Sequence, residues 1–220
     1  MDFESPNATS RRTTSAKVLH PKSKTLNPTS CAARRILGVD PGLNITGYGV
    51  LERDPKRPKS PRVLEAGVVR GMTQQPLVER LVEIHRGVAE VIAAFKPDVM
   101  AIEQLYSHVA HPRTSILMAH ARGVICLAAA QASIPVVHYP ATQIKRILTG
   151  AGRASKEQMQ AAIARELRLP QVPEPPDVAD ALAVAICHYY LGRGEQELAA
   201  ADEEAVEESD RSARASRLKG

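Results

Sequence analysis

Residues 35–52 contain the pattern that most constrains the fold of this chain. Residues 36–39 are almost wholly apolar and fit a buried strand, which ends at a carboxylate, Asp40, at the head of a Pro-Gly turn. Residues 46–52 then return as a second strand. The sequence therefore predicts a β-hairpin with an acidic side chain at its turn. Asp40 is either an ordinary turn former or a functional carboxylate, and the hairpin alone leaves both interpretations open.

The rest of the folded region alternates between apolar strand patterns and helical periodicity. The predicted strands are residues 62–69, 99–102 and 134–139, and the predicted helices are residues 76–95, 114–132, 140–149, 155–169 and 177–191. The first three strands read as an antiparallel meander, whereas the last two follow helices and read as parallel. This order predicts an α/β fold with a mixed five-stranded sheet and helices on both faces, in which the first strand is central and the fourth lies beside it.

The two ends of the chain differ in composition from residues 35–192, which we expect to form the folded domain. Residues 1–34 are rich in Ser, Thr, Pro, Lys and Arg, and residues 1–35 hold seven basic against two acidic residues. A disordered basic extension is expected here; a transit peptide is the alternative, whereas export is not expected because no apolar stretch follows Arg11-Arg12. Residues 193–220 are predicted to form a charged, mostly disordered tail.

Composition argues against a membrane protein and against a disulfide-stabilised one. No apolar run reaches the roughly 18 to 20 residues that a membrane span needs. The three cysteines, Cys31, Cys126 and Cys187, have no metal or redox spacing. We therefore expect a cytoplasmic protein. The formal net charge of +5 permits nucleic-acid binding without requiring it.

A second carboxylate, Glu103, directly follows the short apolar strand at residues 99–102. A carboxylate at the end of a buried strand is costly unless it is paired or bound to a cation, so both a structural ion pair and a metal site are open. The polar segment after it contains His108 and His111, which are either metal ligands or solvated loop residues.

Asp177 and Asp180 form the third acidic motif, three residues apart at the start of the last helix. This spacing puts both on one face. They could serve only as an N-cap and its capping-box partner, because the helix dipole favours negative charge there. If they instead converge with Asp40 and Glu103, four carboxylates cannot all stay ionised without cations. Two Mg²⁺ ions about 3.5 to 4 Å apart would resolve this and would suit phosphodiester hydrolysis.

Several motifs in collinear order resemble one family over about residues 35–190. They are Gly38-Val-Asp-Pro-Gly42 with Thr46-Gly-Tyr-Gly49, Ala101-Ile-Glu-Gln104, Ala121-Arg-Gly123 and Asp177-Val-Ala-Asp-Ala-Leu-Ala183, and together they resemble the RuvC family of Holliday-junction resolvases. The resemblance implies a ribonuclease-H-like fold, a homodimer and a Mg²⁺-dependent crossover junction endodeoxyribonuclease. It further implies two Mg²⁺ per subunit (with Mn²⁺ able to substitute), paired symmetric nicks in recombination and DNA repair, and a branch-migration helicase partner.

The resemblance also assigns roles to individual residues. Its catalytic and metal-binding positions fall on Asp40, Glu103, Asp177 and Asp180. Its DNA-binding positions fall on an aromatic residue that stacks on junction bases, Tyr106, and on two basic residues near the scissile phosphate, Lys145 and Lys156. The alternatives are a half-buried core tyrosine and solvated helix lysines. The small residues around Arg122-Gly123 are the predicted dimer contact.

Two other classes of function are compatible with parts of the pattern. An actin-like sugar kinase also begins with an Asp-x-Gly turn, but it would need a second nucleotide-binding lobe for which this chain is too short. A non-catalytic junction-binding module would leave the four carboxylates unexplained.

Overall fold

The computed structural model describes residues 35–53, 60–104 and 112–192 of the 220-residue chain. Its strands are β1 (Arg35–Asp40), β2 (Ile45–Glu52), β3 (Arg62–Arg70), β4 (Val99–Glu103) and β5 (Val136–Tyr139). They form one sheet in the order β3-β2-β1-β4-β5. The first three strands are antiparallel and the last two pairings are parallel, so the predicted mixed sheet with a central first strand is confirmed.

In the described ranges, five helices cover the two faces of this sheet. They are α1 (Leu77–Phe95), α2 (Pro112–Gln131), α3 (Ala141–Thr149), α4 (Lys156–Glu166) and α5 (residues 176–192). Helices α1 and α2 share a hydrophobic cluster with one face of the sheet, and α3, α4 and α5 share a second cluster with the other face. Within the part of the chain that the structure describes, no helix has the length and hydropathy needed to cross a membrane.

The alternation of side chains along β1 and β4 decides which face each residue serves. Ile36 of β1 and Ala101 of β4 belong to the cluster with α5, whereas Leu37 and Met100 belong to the cluster with α1 and α2. Two-residue periodicity therefore places the side chains of Asp40 and Glu103, which end the two strands, on the α5 face.

Helix α5 lies directly on the backbone of β1 and β2 because glycines line its path. A Cβ added at Gly38 would lie 2.2 Å from the carbonyl oxygen of Ala181, and one at Gly49 would lie 2.6 Å from a methyl carbon of Leu182. Larger residues at these strand positions would hold the helix away from the sheet. The glycines of the first hairpin are therefore needed for helix-sheet packing as well as for the turn.

Several element boundaries in the structure differ from the predicted ones. The capping box at Ser155 is confirmed, with both of its reciprocal hydrogen bonds to Gln158 present. However, α4 ends at Glu166 rather than at residue 169, and β5 begins at Val136 rather than at residue 134. Helix α5 begins at residue 176, so Asp177 lies inside its first turn, and the alternative in which it is the N-cap is wrong.

The predicted N-terminal extension and C-terminal tail lie outside the described residues, as does most of the proline-rich loop between β2 and β3. Their predicted lack of order, and the division of the chain at residues 34 and 193, remain predictions.

Candidate active site

Asp40 and Glu103 lie side by side at the carboxyl ends of the neighbouring parallel strands β1 and β4. The parallel ladder pairs β1 with β4 as far as Val39 and Ile102, so the next residue of each strand is one of the two carboxylates. Both are only partly exposed. The local sequence explains this position, because an apolar run holds each strand in the core up to the acidic residue.

The N-terminal part of α5 brings Asp177 and Asp180 to the same site. Gly47 is paired with Asp40 across the hairpin, and a Cβ added at Gly47 would lie 1.9 Å from the main-chain oxygen of Asp177. The helix therefore starts directly above the end of β1. Asp180 lies one turn further along and lines a cavity together with Glu103.

That cavity has a volume of about 290 Å³ and has both charged and apolar walls. Lys145 of α3 and Lys156 of α4 line it together with Glu103 and Asp180, and the apolar lining comes from Ala141, Ile144, Met159 and Ala183. Both predicted basic residues therefore lie at the site.

Electrostatic interactions link all four carboxylates. Burial, together with the negative charges of Asp180, Glu103 and Asp177, raises the pKa of Asp40 from its ordinary 3.8 to about 7. Lys156 lowers the pKa of Asp40, but by less. The carboxyl group of Asp40 thus lies in an environment that disfavours its ionised form.

The pKa values of Glu103 and Asp180 are raised for related reasons. Burial is the main cause for both, and the charge of Asp180 raises the pKa of Glu103 further. Lys145 lowers both values, and Lys156 acts in the same direction on Asp180. The two lysines thus offset the acidic charge only in part.

The donor set fits hard divalent cations. In the described part of the chain, no lysine, arginine or histidine forms an ion pair within 4.0 Å with any of the four carboxylates. Nor do three acidic, histidine or cysteine side chains among these residues stand close enough together to form a finished metal-ligand cluster. Carboxylate oxygens with room for retained water are what Mg²⁺ prefers.

Three of the predicted positions lie outside the described residues, and two contacts were not predicted. Tyr106, His108 and His111 lie outside the described residues. The unpredicted contacts belong to Arg122, whose guanidinium donates to the main-chain oxygen of Glu103 and to Nδ1 of His138. An arginine in the middle of an Ala-rich helix needs a partner, and that requirement was the available signal in the sequence.

Comparison with known proteins agrees with the geometry. The family described as crossover junction endodeoxyribonuclease RuvC matches residues 36–188. A protein of that name from Rhodopirellula baltica is 54% identical over 162 residues, which is 73% of this chain and 88% of the relative. One from Desulforamulus reducens is 44% identical over 153 residues, covering 70% and 91% of the two chains.

Among solved structures, Thermus thermophilus RuvC in complex with Holliday junction substrate is similar, with a TM-score of 0.68 and 32% identity. The match covers 74% of this chain and 97% of the Thermus chain. The match to the family extends through all five strands and reaches α5, and therefore includes all four carboxylates. From this match and the relatives, the chain belongs to the RuvC family of crossover junction endodeoxyribonucleases.

Proposed function

We propose that this chain is a Mg²⁺-dependent endonuclease that resolves four-way DNA junctions by paired symmetric nicks during homologous recombination and DNA repair. The observation that carries this proposal is the convergence of Asp40, Glu103, Asp177 and Asp180 around one site, without neutralising ion pairs in the described region. Four-way DNA is supported as substrate by the Thermus relative, whose structure contains a Holliday junction.

The four carboxylates would hold the metal, and we propose two Mg²⁺ per subunit, with Mn²⁺ able to substitute. Bound cations would supply neutralising charge and an activated water for in-line hydrolysis of the phosphodiester. Asp40 has acidic neighbours on β4 and on α5, so it would hold the cations together with Glu103, Asp177 and Asp180. Lys145 and Lys156 line the same cavity as Glu103 and Asp180, where they would bind a phosphate of the cut strand.

The decisive experiment compares a synthetic four-way junction with a linear duplex of the same sequence, each in Mg²⁺ and in EDTA. We expect Mg²⁺-dependent nicking of the junction and little nicking of the duplex. Asp40→Asn and Glu103→Gln should retain junction binding and lose nicking by about 10²-fold or more. Asp98→Asn, which changes a carboxylate at the opposite end of the sheet, is the matched control and should nick normally.

Each rival function predicts a different result in that experiment. A non-catalytic junction-binding module would bind the junction without nicking it at any Mg²⁺ concentration. A sugar kinase would instead consume ATP and show no preference for a four-way junction. Unimpaired nicking by Asp40→Asn would contradict the assigned site while leaving the family assignment intact.

We further propose that two copies of the chain pair through α2. Ile116, His120, Gly123 and Leu127 recur at helical spacing and are all exposed, with Ile116 57% and Leu127 49% exposed. An added Cβ at Gly123 would meet nothing within 4 Å, so a second helix has room to approach. A two-fold dimer would present two sites to a junction that has its own two-fold axis.

The oligomeric state tests this pairing. Leu127→Glu should produce a monomer in analytical ultracentrifugation, with an unchanged circular dichroism spectrum, and should uncouple the two nicks. Val82→Glu, which alters an equally exposed apolar residue on α1, should remain dimeric. A Leu127→Glu protein that stays dimeric would reject α2 as the contact.

Two further proposals rest on the family resemblance, and a third, the location, rests on composition. Tyr106 would stack on junction bases, so Tyr106→Ala should reduce junction distortion, measured by fluorescence energy transfer between arms, more than non-specific affinity. A branch-migration helicase complex is the proposed partner, testable by co-purification on junction DNA. The proposed location is the cytoplasm, which fluorescence microscopy of a tagged chain would test.

A further inference from the structure

We propose that Arg122 is a positioning residue for the metal site, because it holds the main chain of Glu103 in place. Its Nη1 donates to the carbonyl oxygen of Glu103, and its Nη2 donates to Nδ1 of His138 on the neighbouring strand. The inference rests on the proposed function, in that Glu103 is taken to be a metal ligand. It adds a role for a residue that acts through Glu103.

Arg122 reaches Glu103 from the face of the sheet opposite to the carboxylates. His138 alternates with Tyr139, which belongs to the α5 cluster, so His138 points toward α2. Arg122 itself is half-buried on α2, with Ala121 and Ile125 beside it in the core. The guanidinium therefore contacts the main-chain oxygen of Glu103 and leaves its carboxylate available to the site.

Arg122 contacts Glu103 at a place where the sheet itself provides fewer hydrogen bonds to the main chain. The ladder between β1 and β4 pairs residues up to Val39 and Ile102. The residue that follows Asp40 is Pro41, which has no N–H to donate. On the other side, Gln104 donates to the main-chain oxygen of Tyr139 at 2.8 Å. Arg122 adds two bonds that tie the end of β4 to α2 and β5.

Holding the main chain of Glu103 would matter most when cations bind. Four carboxylates that repel one another must be brought together, and a strand end that shifts would make this arrangement less favourable. Groups that orient metal ligands typically change metal affinity or activity by about 10- to 100-fold when they are removed. Loss of the Arg122 contacts should therefore weaken metal binding more than it weakens DNA binding.

The test compares Arg122→Met, Arg122→Lys and a matched control, Arg35→Met. Arg35 also donates to a main-chain oxygen, that of Phe95 at 2.8 Å, but at the opposite end of the sheet. The melting temperature is titrated with Mg²⁺ without DNA, and nicking and junction binding are measured separately. For Arg122→Met we expect the half-effective Mg²⁺ concentration to rise by about 10-fold or more, with junction affinity in EDTA within about 2-fold.

A residue with only a structural role should affect the melting temperature but not its dependence on Mg²⁺, and this is the result expected for Arg35→Met. Arg122→Lys should recover part of the lost Mg²⁺ response, because an ammonium can still donate to the Glu103 oxygen. A wild-type Mg²⁺ dependence in Arg122→Met overturns the proposal. If that variant does not fold, His138→Leu decides: a shift of about 3-fold or more supports the proposal, and no shift overturns it.

The melting titration also separates this proposal from the proposed function. It needs no DNA, so a wild-type protein that binds Mg²⁺ but nicks no junction would refute the nuclease and leave the Arg122 result standing.

Discussion

Replacing Asp40 by asparagine should stabilise the metal-free protein at alkaline pH, although it removes a residue of the proposed active site. In the folded chain, burial and three acidic neighbours raise the pKa of Asp40 to about 7, against an ordinary value of 3.8. The folded state therefore binds this proton more tightly than the unfolded state does. Folding is penalised by the ionised carboxylate, and the penalty grows as pH rises from about 4 to 7 and then levels off.

The pKa values set the size of this effect. A difference of about three pKa units corresponds to about 4 kcal/mol above pH 7, and it falls to about 2 kcal/mol at pH 5. For a domain of this size, about 4 kcal/mol corresponds to roughly 8 to 16 °C in melting temperature. We therefore expect Asp40→Asn to melt clearly above the wild type at pH 8 in EDTA, with a gap that narrows as the pH is lowered.

Differential scanning calorimetry at pH 8, 6 and 5, in EDTA and in Mg²⁺, measures this directly. Mg²⁺ should raise the melting temperature of the wild type and have little effect on Asp40→Asn. Asp98→Asn is the control, because Asp98 accepts a hydrogen bond from the main chain of Arg35 outside the carboxylate site, and it should give no gain. An Asp40→Asn protein that melts at or below the wild type at pH 8, or by the same margin at every pH, would refute the reasoning.

Two further variants test the packing and the charge of the site. A methyl group at Gly47 would lie 1.9 Å from the main-chain oxygen of Asp177, so Gly47→Ala should lower the melting temperature by about 10 °C or more, whereas Gly152→Ala, whose added methyl would approach no atom closer than 3.5 Å, should not. Lys156 lines the cavity, so Lys156→Met should slow single-turnover nicking by about 10-fold or more while junction affinity changes little; Arg86→Met on α1 is its charge-matched control.

The sequence was most informative where local pattern and tertiary role coincide. Two-residue alternation and apolar runs predicted all five strands, their mixed pairing and the central place of β1. The capping box at Ser155 is purely local, and it was found as predicted. A helix end was missed: the pattern continued to residue 169, but α4 ends at Glu166, and Arg168 just beyond it has a left-handed φ of 53°.

The assignment of the four carboxylates came from sequence and family resemblance, but their spatial relation did not. Spacing alone could not show whether Asp177 was an N-cap or a residue of the site, since both interpretations need an acidic residue at the start of a helix. The structure decided between them by beginning α5 at residue 176 and laying it on Gly47 beside Asp40.

The contacts of Arg122 could not have been predicted from the sequence of its own helix. Its place in an Ala-rich helix suggested only a helix contact, whereas the fold brings it to the oxygen of Glu103, 19 residues away, and to His138 on another strand. The sequence by itself determined the strand and helix order and which side chains are acidic, because these follow from local periodicity and residue type. Only the tertiary structure decided that these acids share one site and which groups lie behind them, because those contacts join residues far apart in the chain.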